Sequence, residues 1–398
     1  VNWSRTIASL WQDLRRKPLP YLLVLGLAVG ALVSHSSIHR RICAVSEQIR
    51  QVRTDSFLLT VWVLLQTFLL AATWPVVVLL VSWLLASAAP DDEFAHAIHS
   101  GLTKLAYVIF AMGFLVHLVM PNGLAEAHFR LRREPLAFLR RHLRWFFIAA
   151  VPVVFMFETI RAQQVDEEWY TTTGRLLFIA ADLGLAVFLF IVLRPASPLL
   201  EGYLRPRRDG WVNHLRYLWF PAAFLLPVAL ACMAVIGYFH GARYLMERLM
   251  DTILLIVLIV LVRAMFIRWL MVAQRRLALF ERQKRQEATL EQTLHEEKAG
   301  TLARQAEPAE TAAQTQATIF QISQQTRQLI NVVTVAVLLL GVWYVWGNVL
   351  PALARIGRHP LWTLSNQEQI TLGALTIALV VVILTGIVAR NAPGLLEI

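Results

Sequence analysis

Long apolar runs recur along the whole chain, and they constrain its fold more than any other feature. A transmembrane helix needs about 20 predominantly apolar residues, and about nine separated runs approach that length. A secretory signal does not explain them, because they are not confined to the beginning of the chain. We therefore predict an all-α, polytopic membrane protein with about nine transmembrane helices, at Leu19 to Val33, Gln66 to Ala88, Leu102 to Met120, Trp145 to Ile160, Leu176 to Leu193, Leu218 to Phe239, Ile253 to Val272, Val332 to Leu350 and Leu372 to Val388.

Composition supports a place in the bilayer. With 57% hydrophobic residues, 16% charged residues and a mean hydropathy of +0.56, a soluble domain would have more apolar surface than it could bury. The net charge of +11 does not point to nucleic acid as a partner, because its Arg-rich basic clusters lie between apolar runs, as in cytoplasmic loops that face anionic lipid. Cys43 lies in a polar loop and Cys232 in an apolar run, so no disulfide or metal framework is predicted.

The second apolar run extends from Phe57 to Ala88, which is too long for one perpendicular span and too short for two. Basic residues precede it and acidic residues follow it, so it is interpreted as one crossing. Its first turns, "SFLLTVWVLL", either lie along the interface or tilt strongly, and Pro75 marks a place where the helix can bend.

Loop charge predicts the orientation. The basic loops "HRRICAVSEQIRQVR", "HFRLRREPLAFLRRHLR" and "LRPRRDGWVNHLR" alternate with the acidic loops "PDDEF" and "QQVDEEWY", and basic loops stay on the cytoplasmic side. Val1 is then outside, whereas the Gln274 to Leu329 segment and Arg390 are inside. The basic residues 15–17 then lie on the outer side, against the rule. An exported folded domain before Val1 would remove this conflict, because the rule governs short loops only.

The polar segment inside divides in two. Its first part, from Gln274, is rich in helix formers and predicts a helix that continues out of the membrane, either solvated or in a coiled coil. Its second part, "EPAETAAQTQA", predicts a linker. The expected organisation is an outer segment at 1–18, membrane helices over 19–272, a cytoplasmic helix and linker over 273–328, a membrane helix at 329–350, an outer loop at 351–369 and a last membrane helix with its cytoplasmic turn over 370–398.

No catalytic or cofactor-binding pattern is present in the sequence, so neither an enzyme nor a cofactor is predicted. The candidate site residues are instead charges within the spans, of which Asp182 and Arg263 are the deepest. Two interpretations of these two charges are open. They have a structural role, as an interhelix pair or at a water-exposed position, or they take part in transport or gating. Ionisable residues also occur elsewhere in or near the spans, at Lys104, His117, Glu158 and Arg268.

Two other patterns concern packing and lipid contact. Gly373, with Ala374 and Ala378, forms a small-residue stripe on the last span, which favours close helix packing. Trp343 and Trp346 lie near an outer boundary at helical spacing, as expected for an aromatic belt.

Several stretches carry a resemblance to a known family. "ISQQTRQLI" enters a span that ends in "VWYVWGNVLPAL", and "ITLGALTIALVVVILTGIVARNAPGLLEI" follows after a short loop. Together with the earlier "TDSF", "LAEAHFR" and "RHLRW", their order and spacing resemble the large MscS-like mechanosensitive channels of the MscK (KefA) and MscM type. The resemblance extends over nearly the whole chain.

The resemblance implies a tension-gated channel in the bacterial inner membrane, acting in osmoregulation as a homoheptamer that contacts lipids and permeating ions such as potassium. It makes Ile370 to Arg390 the first of three core helices, with a pore helix and a β-rich cytoplasmic domain beyond Ile398. The present chain would then be a sensor paddle. Arg390 is expected to anchor this helix at the cytoplasmic surface and to fix its depth.

Two interpretations from other classes remain at this stage. One is a secondary transporter or ion-coupled permease that uses Asp182 and Arg263 as a membrane-embedded site. The other is a noncatalytic membrane scaffold that docks a partner through the Gln274 to Ala317 segment.

Overall fold

The computed structural model describes residues 2–48, 56–163, 170–204, 216–299, 308–347, 349, 360–363, 369–371, 378 and 382. Two single π-helical turns, Leu124–His128 and Tyr170–Gly174, interrupt the order of the α-helices. The α-helices are α1 (Asn2–Arg16), α2 (Pro18–Gln48), α3 (Phe57–Ala88), α4 (Glu93–Leu118), α5 (Arg133–Ala162), α6 (Arg175–Leu193), α7 (Pro198–Leu204), α8 (Arg216–Ile236), α9 (Phe239–Ala299) and α10 (Pro308–Trp346).

Within these described residues, 8 helices are long and apolar enough to cross a membrane. They contain the first eight predicted spans except at a few boundaries, so the prediction of a helical, polytopic membrane region is confirmed. Large apolar side chains remain exposed along these helices, which is the surface that a bilayer covers. The ninth predicted span lies outside the described residues except for Ala378 and Val382, which are both helical.

The chain divides into two compact units, the first formed by Val1–Glu247 and Val262–Arg327, the second by Arg248–Leu261 and Gln328–Ile398. In the first unit, α4 packs between α3 and α5, and α6 packs against α5 and α8. One apolar cluster lies at the α3–α4 turn and is built on Leu85, Ala89, Ala95 and Ile98. Another lies at the opposite end of α4 and is built on Val119, Ala125, Leu136 and Leu143.

A glycine allows α4 to approach α5 closely. A Cβ added at Gly101 would collide with the Thr159 hydroxyl and would lie 3.3 Å from the Phe155 carbonyl oxygen. Contact this close between helix backbones is typical of small residues at membrane helix interfaces. Gly101 therefore fixes the distance between the two helices.

The predicted crossing at Phe57 to Ala88 is one continuous helix, α3, with Pro75 inside it. The Ser56 hydroxyl caps its N-terminus by accepting a hydrogen bond from Leu59 N at 3.4 Å. At 1.5 Å per residue the helix is about 48 Å long, against a hydrocarbon thickness of about 30 Å. Part of α3 must therefore tilt or extend beyond the hydrocarbon, as the sequence indicated.

One span boundary and the linker predicted in the first unit are wrong. The predicted span that ended at Phe239 is divided by Gly237, whose φ of 115° ends α8 at Ile236, and Phe239 begins α9. The segment "EPAETAAQTQA" is helical from Pro308, where a linker was expected. Proline is well tolerated in the first turn of a helix, and the Ala, Gln and Glu residues that follow are good helix formers. The helix propensity of these residues therefore determines the structure of the segment, although it contains few bulky apolar side chains.

The second unit contains the only strands in the described part of the chain. β1 (Pro360–Thr363) and β2 (Gln369–Thr371) pair antiparallel, with Trp362 opposite Ile370 and a register shift between Pro360 and Trp362. β1 lies in the predicted outer loop and β2 at the junction of that loop with the predicted last helix, and an all-α prediction did not anticipate either strand. Helix α10 ends at Trp346 rather than at Leu350, and Ile370, the predicted start of the last helix, is in β2.

Candidate functional site

The structure does not bring the two deepest membrane charges together. Asp182 of α6 is 0% exposed, and both of its carboxylate oxygens are buried without a hydrogen-bond partner among the described residues. Arg263 of α9 is half-buried and forms no ion pair with Asp182. The two residues therefore do not form the paired site that an ion-coupled transporter would need.

The other candidate charges have local roles. Lys104 is exposed, and Glu158 pairs with Arg161 one turn further along α5. The His117 ring nitrogen Nδ1 lies 2.6 Å from the Gly113 carbonyl oxygen of its own helix. Only Arg268 is fully buried, and it belongs to a polar cluster that the sequence did not reveal.

This cluster is centred on the turn between α4 and α5. The turn has left-handed residues on either side, with φ of 53° at Asn122 and 56° at Arg130. Glu126 holds it in shape, because one carboxylate oxygen accepts a hydrogen bond from Asn122 N at 3.1 Å and the other pairs with Arg133 of α5. The Ser46 hydroxyl of α2 donates to the Asn122 carbonyl at 2.6 Å. The turn thus binds both α2 and α5.

The same turn also contacts α3 and approaches α9. His128 is completely buried, and its Nδ1 lies 2.9 Å from Oγ1 of Thr60 in α3. Burial and the nearby positive charge of Arg268 in α9 lower the pKa of His128 to about 4. His128 is therefore neutral at physiological pH. We call this set the inner junction: Ser46, Thr60, Asn122, Glu126, His128, Arg133 and Arg268.

The inner junction was missed in the sequence because its members come from four separate stretches of the chain. None of them follows a periodic pattern, and a polar residue in a loop is ordinarily solvated. The only signal in the sequence is "LAEAHFR", which contains Glu126 and His128 and carries part of the family resemblance. The sequence identifies Arg268 as an ionisable residue in or near a span, but it does not reveal the neighbours of its side chain.

The two tryptophans predicted for an aromatic belt differ in their surroundings. Trp343 is 68% exposed on α10, as expected for a side chain that faces lipid. Trp346 is half-buried, and its Nε1 donates to Oγ1 of Thr252 at 3.0 Å. Within the second unit Trp346 therefore ties α10 to the part of α9 that belongs to the same unit, Arg248–Leu261. Gly373 and Arg390, the other two candidates for packing and anchoring, lie outside the described residues.

Comparison with known proteins gives a consistent result. The family model described as "Mechanosensitive ion channel inner membrane domain 1" matches residues 19–362. The chain is 27% identical over 395 residues to the miniconductance mechanosensitive channel MscM of Escherichia coli (strain K12). The aligned region covers 96% of this chain and 34% of that protein. It is 23% identical over 408 residues to the mechanosensitive channel MscK of the same organism, covering 100% of this chain and 34% of the relative.

A third relative is an uncharacterized MscS family protein of Haemophilus influenzae, which is 25% identical over 400 residues, covering 96% of this chain and 34% of that protein. The chain thus spans about a third of the length of the curated relatives that it matches.

Proposed function

Because the chain belongs to the family of the mechanosensitive ion channel inner membrane domain 1, we propose that it is the lipid-embedded sensor region of a channel opened by membrane tension. Such a channel releases ions and small osmolytes on hypoosmotic shock and has no enzymatic role. The observation that carries the proposal is the family match over residues 19–362, a range that includes nearly all of the eight apolar helices. The two relatives named as mechanosensitive channels support it along the whole chain.

The physical basis of the proposal is the large lipid-facing surface of the helices. A protein can respond to membrane tension only if its two states differ in helix tilt or in the area that they occupy in the bilayer. Tension then favours one state over the other. The inner junction ties the turn between α4 and α5 to α2, α3 and α5 and brings it near α9. We propose that it makes these helices move together, so that a change of tilt at one helix is passed to the others.

Orientation and assembly form part of the same proposal. We place the N-terminal end on the outer, periplasmic side of the bacterial inner membrane and the polar end of α9 in the cytoplasm, on the evidence of the loop charges. Self-association as a homoheptamer is proposed on the basis of the resemblance alone, and a ring of identical subunits would make the coupling of the sensor regions symmetric. Arg390 remains the proposed anchor of the last membrane helix.

An ion-coupled transporter is less well supported, because Asp182 and Arg263 do not form a pair and the channel relatives match the chain along its length. The test is to reconstitute the full-length protein in giant liposomes and record excised patches under suction. We expect unitary currents that appear with pressure and are absent from protein-free liposomes. Solute uptake driven by an ion gradient, without such currents, would instead favour the transporter.

A further inference from the structure

An apolar cavity of about 230 Å³ lies between the first four helices of the first unit. Its wall includes Ile7 and Leu10 of α1, Tyr21 of α2, Leu84 of α3 and Leu102 of α4. The cavity is partly open, and the only hydroxyl groups among its lining residues, those of Thr6 and Tyr21, already donate hydrogen bonds to carboxylates, so its wall offers no free partner for a group of waters. An apolar molecule is therefore the occupant that fits it.

The cavity lies within the thickness of one leaflet. Leu84 is about one turn from the end of α3, and Leu102 is between two and three turns from the start of α4. At 1.5 Å per residue these residues lie roughly 6 and 13 Å from the α3–α4 turn, whereas one leaflet contributes about 15 Å of hydrocarbon. The apolar molecule available at that depth is a lipid acyl chain.

The rim of the cavity is polar, and its acidic groups near α1 are already engaged. The Thr6 hydroxyl donates to Asp92 at 2.7 Å, and the Tyr21 hydroxyl donates to Asp13 at 3.1 Å. These bonds hold α1 against α4 and against the start of α2, so that α1 forms one side of the cavity.

The end of α1 is basic. Arg15 and Arg16 occupy its last turn, and Lys17 follows before α2. The guanidinium of Arg15 lies 5.3 Å from the centroid of Trp11, an exposed ring suited to the headgroup region. These cations are the ones that the positive-inside rule leaves unexplained. A lipid phosphate next to them would account for their position.

We propose that this cavity binds one acyl chain of an anionic phospholipid from the leaflet on the α1 side, which is the outer leaflet in the proposed orientation. The headgroup phosphate is bound by the basic residues 15–17. Ile7, Leu10 and Leu102 would contact the acyl chain of the lipid. This lipid site is separate from the proposed channel function and does not depend on it, because the lipid would bind whether or not the protein conducts ions.

The experiment places the full-length protein in phosphatidylcholine nanodiscs that contain a small, varied fraction of phosphatidylglycerol with a photoreactive diazirine in mid-chain. Cross-linked peptides are identified by mass spectrometry. We expect labelling of the peptides that contain Leu84 and Leu102 to saturate as the labelled fraction rises. Labelling around Leu258, an exposed residue of α9, should rise linearly, because it reports bulk lipid.

Two substitutions that fill the cavity, Leu102→Trp and Leu84→Phe, should each abolish the saturable labelling. Both are tested, and each is checked for folding by its elution profile, so that misfolding of one leaves the other informative. The matched control, Leu183→Trp at an exposed position of α6, should keep it. Arg16→Gln and Lys17→Gln should each weaken the preference for labelled phosphatidylglycerol over labelled phosphatidylcholine about fivefold.

Two outcomes would overturn the proposal. Linear labelling of the cavity peptides, unchanged in both filling variants, would show that only bulk lipid is present. Equal saturation by phosphatidylglycerol and phosphatidylcholine in the unsubstituted protein would remove the assignment of the basic residues to an anionic headgroup.

Discussion

At the scale of single residues, Asp182 and His128 are both completely buried but differ in their hydrogen bonding. His128 lies beside the Thr60 hydroxyl, whereas neither carboxylate oxygen of Asp182 has a hydrogen-bond partner among the described residues. A buried polar group without a partner costs roughly 1–3 kcal/mol in protein stability. The two residues therefore lead to different expectations: replacing Asp182 should raise the stability of the protein, whereas replacing His128 should change how stability depends on pH.

Replacing Asp182 by Leu should stabilise the protein. Leu has the same branching as Asp, and it removes a carboxyl group that gains nothing from its surroundings, so we expect a gain of about 1–2 kcal/mol. The measurement is the thermal unfolding midpoint of the purified protein in detergent. Asp251→Asn, at a half-exposed position paired with Arg248, is the control and should change the midpoint little. A clear fall in the midpoint for Asp182→Leu would mean that the carboxyl group has a stabilising partner.

His128 should make the stability of the first unit depend on pH. Its pKa is lowered from 6.5 to about 4 in the fold, so the unfolded chain binds a proton more readily than the folded chain does. The free energy of unfolding should therefore fall as the pH drops from about 6.5 towards 4, by up to roughly 3 kcal/mol.

The check is to measure the unfolding midpoint across this pH range in the unsubstituted protein and in His128→Leu. The substitution should flatten the part of the profile between pH 6.5 and 4. His96→Gln, at an exposed position on α4, should leave the profile as it is. An identical slope in His128→Leu and in the unsubstituted protein would contradict the assignment.

At the scale of helices, the close packing of α4 on α5 depends on Gly101. Gly101→Ala should destabilise the protein by about 1–3 kcal/mol, because its Cβ would collide with the Thr159 hydroxyl. Thr159→Ala should recover part of the loss when combined with Gly101→Ala, since it removes the colliding atom. Gly184→Ala on α6, where a Cβ would meet nothing within 4 Å, is the control and should be neutral or slightly stabilising. Equal effects at both glycines would exclude a specific contact at Gly101.

The helices that the sequence predicted well are those whose apolar length alone defines them. Eight of the predicted membrane helices are found among the described residues. Each could be predicted because a long apolar run is sufficient to identify a helix that spans a bilayer. Their ends were harder to predict, since Gly237 divides one run through its backbone conformation and Pro308 begins a helix in a polar stretch. The hairpin around Trp362 depends on pairing between strands, which hydropathy does not report.

The inner junction was beyond prediction for a related reason. Its contacts join residues far apart in the chain, such as His128 to Thr60 and Ser46 to Asn122. Each of these residues is unremarkable in its own stretch of sequence. Only their assembly around the turn between α4 and α5 gives them a shared environment.

At the scale of the whole molecule, the proposed orientation can be tested by cysteine labelling. In a background with Cys43→Ser and Cys232→Ser, single cysteines are introduced as Gln316→Cys and Asp166→Cys. We expect a membrane-impermeant maleimide added from outside to label Asp166→Cys and not Gln316→Cys, because loop charge places Gln316 in the cytoplasm. Labelling of Gln316→Cys in intact cells would reverse the orientation.

The central claim is that this region senses tension and does not line the pore. Patch-clamp recording of the full-length protein with Glu126→Gln or Thr60→Val tests it most directly, because each change weakens a contact of the inner junction. We predict a shifted opening pressure with unchanged unitary conductance, and no effect of Glu287→Gln at an exposed position on α9. An altered conductance with an unchanged opening pressure would contradict the claim.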